Sequence, residues 1–247
     1  MNISNKTVLI IGGSAGIGFE TAKLLTSKGN KVIITGRDEN RLKAAAAKIE
    51  GVSYFVGDVS SEADTLKLVD YINQNFPQLD VLINNAGRAV VYQLTDNANA
   101  FDIASDEILT NYLAIIRLTE KLLPVLRAQK EAVIVNVTSI VVFAPGASLP
   151  TYAASKAALH SYTRSLRYAL KDTGVKVFEL MPPLVDTDFS TEIGGHNGIP
   201  PSQVAEELLD GLTNDVAEIH VGQTADMYKL YLSSPEQALL VLNSRGE

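Results

Sequence analysis

Short runs of β-branched and aliphatic residues alternate along this chain with longer stretches whose apolar positions recur every three to four residues. The runs Thr7–Ile11, Lys31–Thr35, Val52–Val56, Val81–Asn84, Ala132–Thr138 and Lys176–Leu180 predict strands. Gly16–Gly29, Glu39–Ile49, Ser61–Asn75, Ser105–Gln129 and Tyr152–Asp172 predict helices. Strand–helix alternation of this kind implies a parallel sheet covered on both faces, a doubly wound α/β fold. A helical pattern over Ser202–Leu212, a short strand-like EIHVG ending at Gly222 and helical segments to Leu242 complete a sheet of about seven strands. Between Met181 and Ser202 the periodicity lapses into PPLVDTDFSTEIGGHNGIPP, with a turn signal at Asn197–Gly198. A long irregular segment in a compact α/β chain is usually functional, so residues 188–201 read as a lid over a substrate. No repeat, low-complexity tract or linker divides the chain, and residues 1–247 read as one domain.

Composition narrows the function without naming it. With 46% hydrophobic and 20% charged residues over 247 positions, the chain has the make-up of an undivided α/β domain. Twenty-one basic against 28 acidic residues leave a net charge of -7, which repels nucleic acid and anionic membrane surfaces. The absence of cysteine excludes disulfides and thiol catalysis and fits a reducing compartment. No apolar run approaches the roughly 18 residues of a membrane span. The N-terminal MNISNKTVLIIGG passes from polar residues into four apolar ones, Val8 to Ile11, too few for a signal-peptide core, so a cytoplasmic protein is expected. The sequons at Asn2, Asn5 and Asn136 therefore carry little weight. His160, His196 and His220 lack metal-ligand spacing, and no metal is expected. Packing or an interface contact suits His160, and solvent suits the loop residue His196.

The candidate chemistry lies at predicted strand ends. The first strand runs into GGSAGIG, placing Gly12, Gly16 and Gly18 where a backbone must turn tightly and approach a pyrophosphate at a helix N-terminus. The second ends TGR: Gly36 and Arg37 stand where NAD-binding folds commonly hold a carboxylate, and a guanidinium fork suits the 2′-phosphate of NADP. Asp58 either accepts from an adenine amino group or caps the helix that follows. The fourth strand ends NNAG, Asn84 to Gly87, and the fifth ends NVTS, with Ser139 at the carboxyl edge. Tyr152 follows Ser139 by thirteen residues and Lys156 follows by four more, a spacing that puts phenol and ammonium on one helix face. The acidic residues Asp96, Asp102, Asp106 and Glu107 read mainly as a solvated loop, with attraction of a cationic substrate as the alternative.

Taken together, GGSAGIG, NNAG, Asn111, Ser139 and YAASK occur in the order and approximate spacing of the short-chain dehydrogenase/reductase family, which the chain resembles over nearly its whole length. The stretch from VKVFELMPPLVDTD through EIHVGQTADMYKL is similar to the DltE-like bacterial oxidoreductases within it. The resemblance implies an oxidoreductase transferring a hydride between nicotinamide and a carbonyl/alcohol pair. It makes Tyr152 the general acid/base, Ser139 a hydrogen-bond partner of the substrate oxygen, Lys156 the group that contacts the nicotinamide ribose and lowers the phenol's pKa, and Asn111 the holder of a water. It places Gly12, Ser14, Gly16, Ile17 and Gly18 along the pyrophosphate and adenosine, Arg37 on the 2′-phosphate, Asp58 and Val59 beside adenine, Asn85 beside the adenosine ribose, and Val185 and Thr187 near the carboxamide. NADP is favoured over NAD, and a homodimer or homotetramer is implied. Two departures stand out: Ile11 where the family commonly has threonine, and Pro182–Pro183 where it commonly has Pro-Gly, which stiffens the loop and removes an amide. Two competing functions are a cofactor-binding regulatory protein on the same fold, against which the intact polar set argues, and a sugar epimerase or dehydratase, against which the short C-terminal region argues.

Overall fold

A computed structural model describes residues 3–95 and 97–244, so Asn2 and Asp96 lie outside the described residues. Seven parallel strands form one sheet in the order β3-β2-β1-β4-β5-β6-β7, with β1 Thr7–Ile11, β2 Lys31–Gly36, β3 Ser53–Val56, β4 Leu79–Asn84, β5 Ala132–Val137, β6 Val175–Met181 and β7 Glu218–His220. The chain winds outward from β1 to β3 and then returns through β4 to the other edge. This puts the topological switch point between β1 and β4, where open α/β sheets bind ligands beyond the strand carboxyl ends.

Alternate residues of each strand feed opposite layers. Val8, Ile10, Val133, Val135, Phe178 and Leu180 pack beneath α1 (Gly16–Ser27), α2 (Glu39–Ala46) and α7 (Pro201–Thr213). Leu9, Leu82, Ile134 and Val177 pack beneath α3 (Glu62–Asn75), α5 (Ala114–Arg127) and the C-terminal part of α6 (Pro150–Ala169). A third apolar cluster joins Ile140, Phe143, Leu149, Tyr152 and Met181 to Met227 of α8 (Thr224–Ser233) and Ala238 of α9 (Pro235–Asn243). No helix among the described residues is long and apolar enough to cross a membrane.

Several predicted elements differ from the observed ones, α6 among them, which spans Pro150–Ala169 and not Tyr152–Asp172. The helix expected over Ser105–Gln129 begins earlier, as α4 (Ala100–Ile108), and reaches α5 through a single π-helical stretch, Leu109–Leu113. A π turn bonds i to i+5, so it frees a backbone carbonyl where an α-helix would have none spare. Helix α2 ends at Ala46, three residues short of the expected Ile49. The Pro/Gly-rich segment is less irregular than its sequence suggests: short 3₁₀ helices cover Asp188–Ile193 and Gly195–Asn197, and Val185 bridges to Ile199.

Candidate active site at the strand carboxyl ends

The turn after β1 is held by the second strand, since the amides of Gly12 and Gly13 both donate to the Thr35 carbonyl, at 3.1 and 3.0 Å. Gly12 sits at φ +81°, and a Cβ there meets Ala86 Cα at 2.9 Å, so the β1 and β4 loops touch through bare backbone. Tighter still is Gly18, whose added Cβ falls 2.1 Å from the Gly12 carbonyl oxygen. That same carbonyl accepts from Asn85 Nδ2 at 2.7 Å, which ties the end of β4 to the turn. Helix α1 then starts at Gly16 behind Ala15, with no side-chain cap and no acidic residue in its first turn. Its leading amides thus present an uncapped positive helix end, a fit for a pyrophosphate. Ile17 packs partly into the core below.

The adenosine end is equally traceable. Ser14 Oγ lies 3.4 Å from the Cβ position of Gly36, and Arg37 is exposed at the start of the next loop. A small cavity is lined by Ile11, Thr35, Phe55, Gly57, Asp58, Val59 and Asp64 among others. Asp58 does not cap the helix: Ser61 is the N-cap of α3, accepting from Asp64 N, while Asp58 Oδ1 accepts from the amide and hydroxyl of Ser60 at 2.9 and 2.7 Å. Asp58 therefore does not act as the cap, because the N-cap position falls at Ser61, three residues further on.

Beyond the switch point, β5 and α6 bring Ser139, Tyr152 and Lys156 together. Tyr152 is only 8% exposed; burial pushes its phenol up to about 12, partly offset by a hydrogen bond from Ser139, while the charge of Glu107 pushes it further up. Burial likewise pushes Lys156 down to about 8, with the Glu179 carboxylate acting in the other direction. Its Nζ donates to the Val137 carbonyl at 2.8 Å and stands 5.7 Å from the centre of the Tyr152 ring. In the protein alone, desolvation of the anionic form is the largest influence on the phenol.

Asn111 occupies the centre of the π stretch and is fully buried. Both of its amide hydrogens and one acceptor site are in use: Oδ1 accepts from Arg88 N at 2.8 Å, and Nδ2 donates to Arg88 O at 2.8 Å and Ser155 Oγ at 2.9 Å. A Cβ on Gly87 would lie 3.5 Å from Asn111 Oδ1 and 3.7 Å from Lys156 Nζ, so the NNAG turn, Asn111 and Lys156 share one small space.

Residues after β6 lie over the crevice from the other side. Val185 is buried and its carbonyl accepts from Ser190 Oγ, while the Thr187 methyl comes within 3.0 Å of the Gly16 Cβ position. Asp188 pairs with Arg41 of α2 at 2.9 Å, and the Phe189 ring stands 6.0 Å from that of Tyr152. Pro182 keeps its carbonyl in use, accepting from Ile140 N at 2.9 Å.

Several of these residues escape the sequence pattern. Glu107 is no solvated acid but fully buried, with Oε1 accepting from Val90 N and Oε2 from Thr151 Oγ1, next to Tyr152. Burial pushes its carboxyl up, and those two hydrogen bonds oppose the shift. Asp102 and Asp106 are exposed, the latter paired with Arg88 at 3.1 Å. His160 does not simply pack, but bonds the buried Glu179. His196 is exposed, as its loop position implied. Among the described residues no cluster of His, Asp or Glu is arranged to hold a metal.

Residues 6–197 match the short chain dehydrogenase family. The chain belongs to that family. This short-chain dehydrogenase is 39% identical over 224 residues to the uncharacterized oxidoreductase DltE of Bacillus subtilis (strain 168), covering 89% of each chain. It is 32% identical over 220 residues to an uncharacterized oxidoreductase of Staphylococcus saprophyticus, covering 86% of this chain and 93% of that one. In fold it is similar to a short chain dehydrogenase from Burkholderia cenocepacia solved with NADP, at a TM-score of 0.87 and 21% identity over 98% of this chain and 99% of that one. It is equally similar to one from Burkholderia phymatum solved with NAD, at 0.87 and 20% identity over 100% and 99% of the two chains. The short-chain dehydrogenase is thus an NAD(P)-dependent oxidoreductase by family.

One consequence follows for stability. A lysine held at about 8 instead of 10.5 is protonated more readily in the unfolded chain, so stability rises with pH from about 8 to 10.5 and the cost is fully present below about 8. At neutral pH that cost is about 3 kcal/mol. Lys156→Met, which keeps the length and removes the charge, is expected to raise the urea midpoint at pH 7 while abolishing turnover. The gain should vanish near pH 11, and a variant less stable than the parent at pH 7 would count against a buried, strained ammonium.

Proposed function

We propose that the chain is an NADP(H)-dependent carbonyl reductase or alcohol dehydrogenase in which Tyr152 moves the proton. The observation that carries this reading is the convergence of Ser139, Tyr152, Lys156 and Asn111 beside a glycine turn too tight for any side chain at position 18. The nicotinamide supplies or accepts the hydride when bound. Gly12, Ser14, Gly16, Ile17 and Gly18 seat its pyrophosphate and adenosine, Asp58 and Val59 flank adenine, Asn85 braces the turn beside the ribose, and Val185 and Thr187 face the carboxamide.

In reduction, Tyr152 gives its phenolic proton to the carbonyl oxygen, which Ser139 also holds; in oxidation Tyr152 takes the proton back. A phenol near 12 is well suited to remain an acid but is a poor base at neutral pH. Lys156 favours the phenolate by its charge, and a positively charged nicotinamide ring, when bound, would favour it further. Asn111, across Gly87 from Lys156, holds the water that feeds the lysine. The segment 188–201 serves as the lid, with Phe189 over Tyr152 and Asp188 latched to Arg41. Residues 1–247 act as one catalytic domain, cytoplasmic and associated as a homodimer or homotetramer, with a small carbonyl or alcohol as substrate and neither nucleic acid nor membrane as partner.

Cofactor choice is tested by fluorescence titration. NADPH should bind at least tenfold more tightly than NADH, since one bidentate guanidinium–phosphate contact contributes about 1.5–3 kcal/mol. Arg37→Asp should reverse the order, whereas equal wild-type affinities would refute the NADP assignment.

A further inference from the structure

Beneath the proposed catalytic residues the sheet carries polar side chains where the same face elsewhere carries Leu, Ile and Val. In register, Asn84 of β4 lies beside Asn136 of β5, Asn136 beside Glu179 of β6, and Glu179 beside Glu218 of β7. Helix α6 answers this row with Lys156, His160, Thr163 and Arg167, a spacing that keeps all four on one face. The pairs are explicit. Asn84 Nδ2 donates to Asn136 Oδ1 at 2.8 Å, and Asn136 Nδ2 to Thr163 Oγ1 at 2.9 Å. His160 Nδ1 meets both Glu179 oxygens, at 2.9 and 3.0 Å, and Thr138 Oγ1 donates to Glu179 Oε1 at 2.7 Å. Arg167 binds Glu218 at 3.0 Å.

Glu179 is the member that needs a reason. Its side chain is completely inaccessible, and an acid there costs several kcal/mol in desolvation unless it has both partners and a purpose. Thr138 is adjacent to Ser139, His160 follows Lys156 by one helical turn, and the Lys156 ammonium is bonded to the carbonyl of Val137, so the carboxylate is wired to the two segments that carry the chemistry. Among the described residues Glu179 is the carboxylate whose charge acts on Lys156, while the buried Glu107 acts on Tyr152. From α6 Lys156 faces Tyr152, which is neutral as a phenol and has the buried Glu107 of α4 acting on it; from β5, the Val137 carbonyl; from the π stretch, the neutral Asn111 across Gly87; and from β6, Glu179. Glu179 in turn is faced by His160 and Lys156 from α6, Thr138 from β5, and from β7 by Glu218, which Arg167 neutralises, and His220, which burial pushes down.

We propose that Glu179 is a positioning residue for the reaction: its charge keeps Lys156 an ammonium, and its bonds to His160 and Thr138 lock α6 to the end of β5 so that Tyr152 and Ser139 meet the same oxygen. The proposal rests on the catalytic roles given above to Tyr152, Ser139 and Lys156. It uses no group outside the chain and moves no electrons.

Glu179→Gln tests the charge while keeping the size and hydrogen-bonding capacity. The titration of Lys156, followed by NMR of its side-chain ammonium and assigned against Lys156→Met, is expected to move down by roughly one unit. The alkaline limb of reductive kcat should move down by the same amount, with NADPH affinity unchanged. Glu179→Asp, which keeps the charge but draws it back, should leave the titration in place and lower kcat about tenfold through misalignment alone. If the Gln variant does not fold, the double replacement Glu179→Leu with His160→Phe removes both partners at matched volume and serves the same titration. An unmoved Lys156 titration in the neutral variant overturns the proposal. Because that titration is read without turnover, its failure is distinguishable from failure of the oxidoreductase reading, which only a carbonyl panel addresses.

Discussion

Tyr152→Phe is expected to slow NADPH-dependent carbonyl reduction by about 10³-fold, the scale of a lost general acid. The fold should survive the change. The ring belongs to the apolar cluster with Ile140, Phe143, Leu149 and Met181, and phenylalanine retains that packing. What goes is one hydroxyl whose partner is Ser139, a net loss of about 1 kcal/mol. NADPH affinity should therefore match the parent, and the loss should fall on kcat in single-turnover measurements. A Phe variant as active as the parent would remove Tyr152 from the mechanism, and one that also loses NADPH binding would recast it as a cofactor-binding group.

Gly18→Ala is expected to have the largest effect of any single methyl in the chain. The added carbon falls 2.1 Å from the Gly12 carbonyl oxygen and 2.6 Å from Asn85 Nδ2, both of which are bonded to each other. Backbone on one side and a committed amide on the other leave no cheap relaxation. Either α1 lifts from the sheet or the turn opens, and in both cases the phosphate cradle is lost. Overpacking of this kind costs about 1–3 kcal/mol, and more where backbone must move. The expected result is a fall of about 5 °C or more in Tm, at roughly 2–4 °C per kcal/mol for a domain of this size, together with loss of saturable NADPH binding. Gly51→Ala makes the control for backbone strain alone, because it has a positive φ, +79°, which Gly18 lacks, and no atom within 4 Å of the added Cβ. Damage at Gly51, where nothing is near, as large as that at Gly18 would count against the close approach as the cause.

How much of this was written in the linear pattern depends on whether a residue obeys the rule for its type. The strands were legible because apolar runs of four to seven residues between glycine-bearing turns have few alternative readings, and the order of motifs located the crevice. The glycine turn and Ser139 were legible because small or polar residues at strand ends point to a ligand, whereas Tyr152 and Lys156 lie within α6 and stood out by their order and spacing after Ser139. Glu107 and Glu179 break their rule. Each is an acid in a position that periodicity assigns to the interior, and charge normally argues for solvent. In VKVFELM the acid has the parity of Val175 and Val177, which face the core, and that mismatch was the available signal. The π stretch leaves no trace in the period, since one extra residue in a helix shifts the pattern no more than a loop does. The pairing of Arg41 with Asp188 joins residues 147 apart, which no local pattern encodes.

The polar row under α6 also bears on how such a chain can diverge. Asn136 serves Asn84 on one side and Thr163 on the other, while Glu179 serves Thr138 and His160 together. A single replacement in the row leaves a buried donor or acceptor stranded on a different element, a penalty of about 1–3 kcal/mol for each orphan. Matched replacements on strand and helix carry no such penalty. Drift here is therefore epistatic: His160 and Glu179 should be exchanged together or not at all, and grafting only α6 from a distant homologue should yield a protein that folds poorly until β6 is grafted with it.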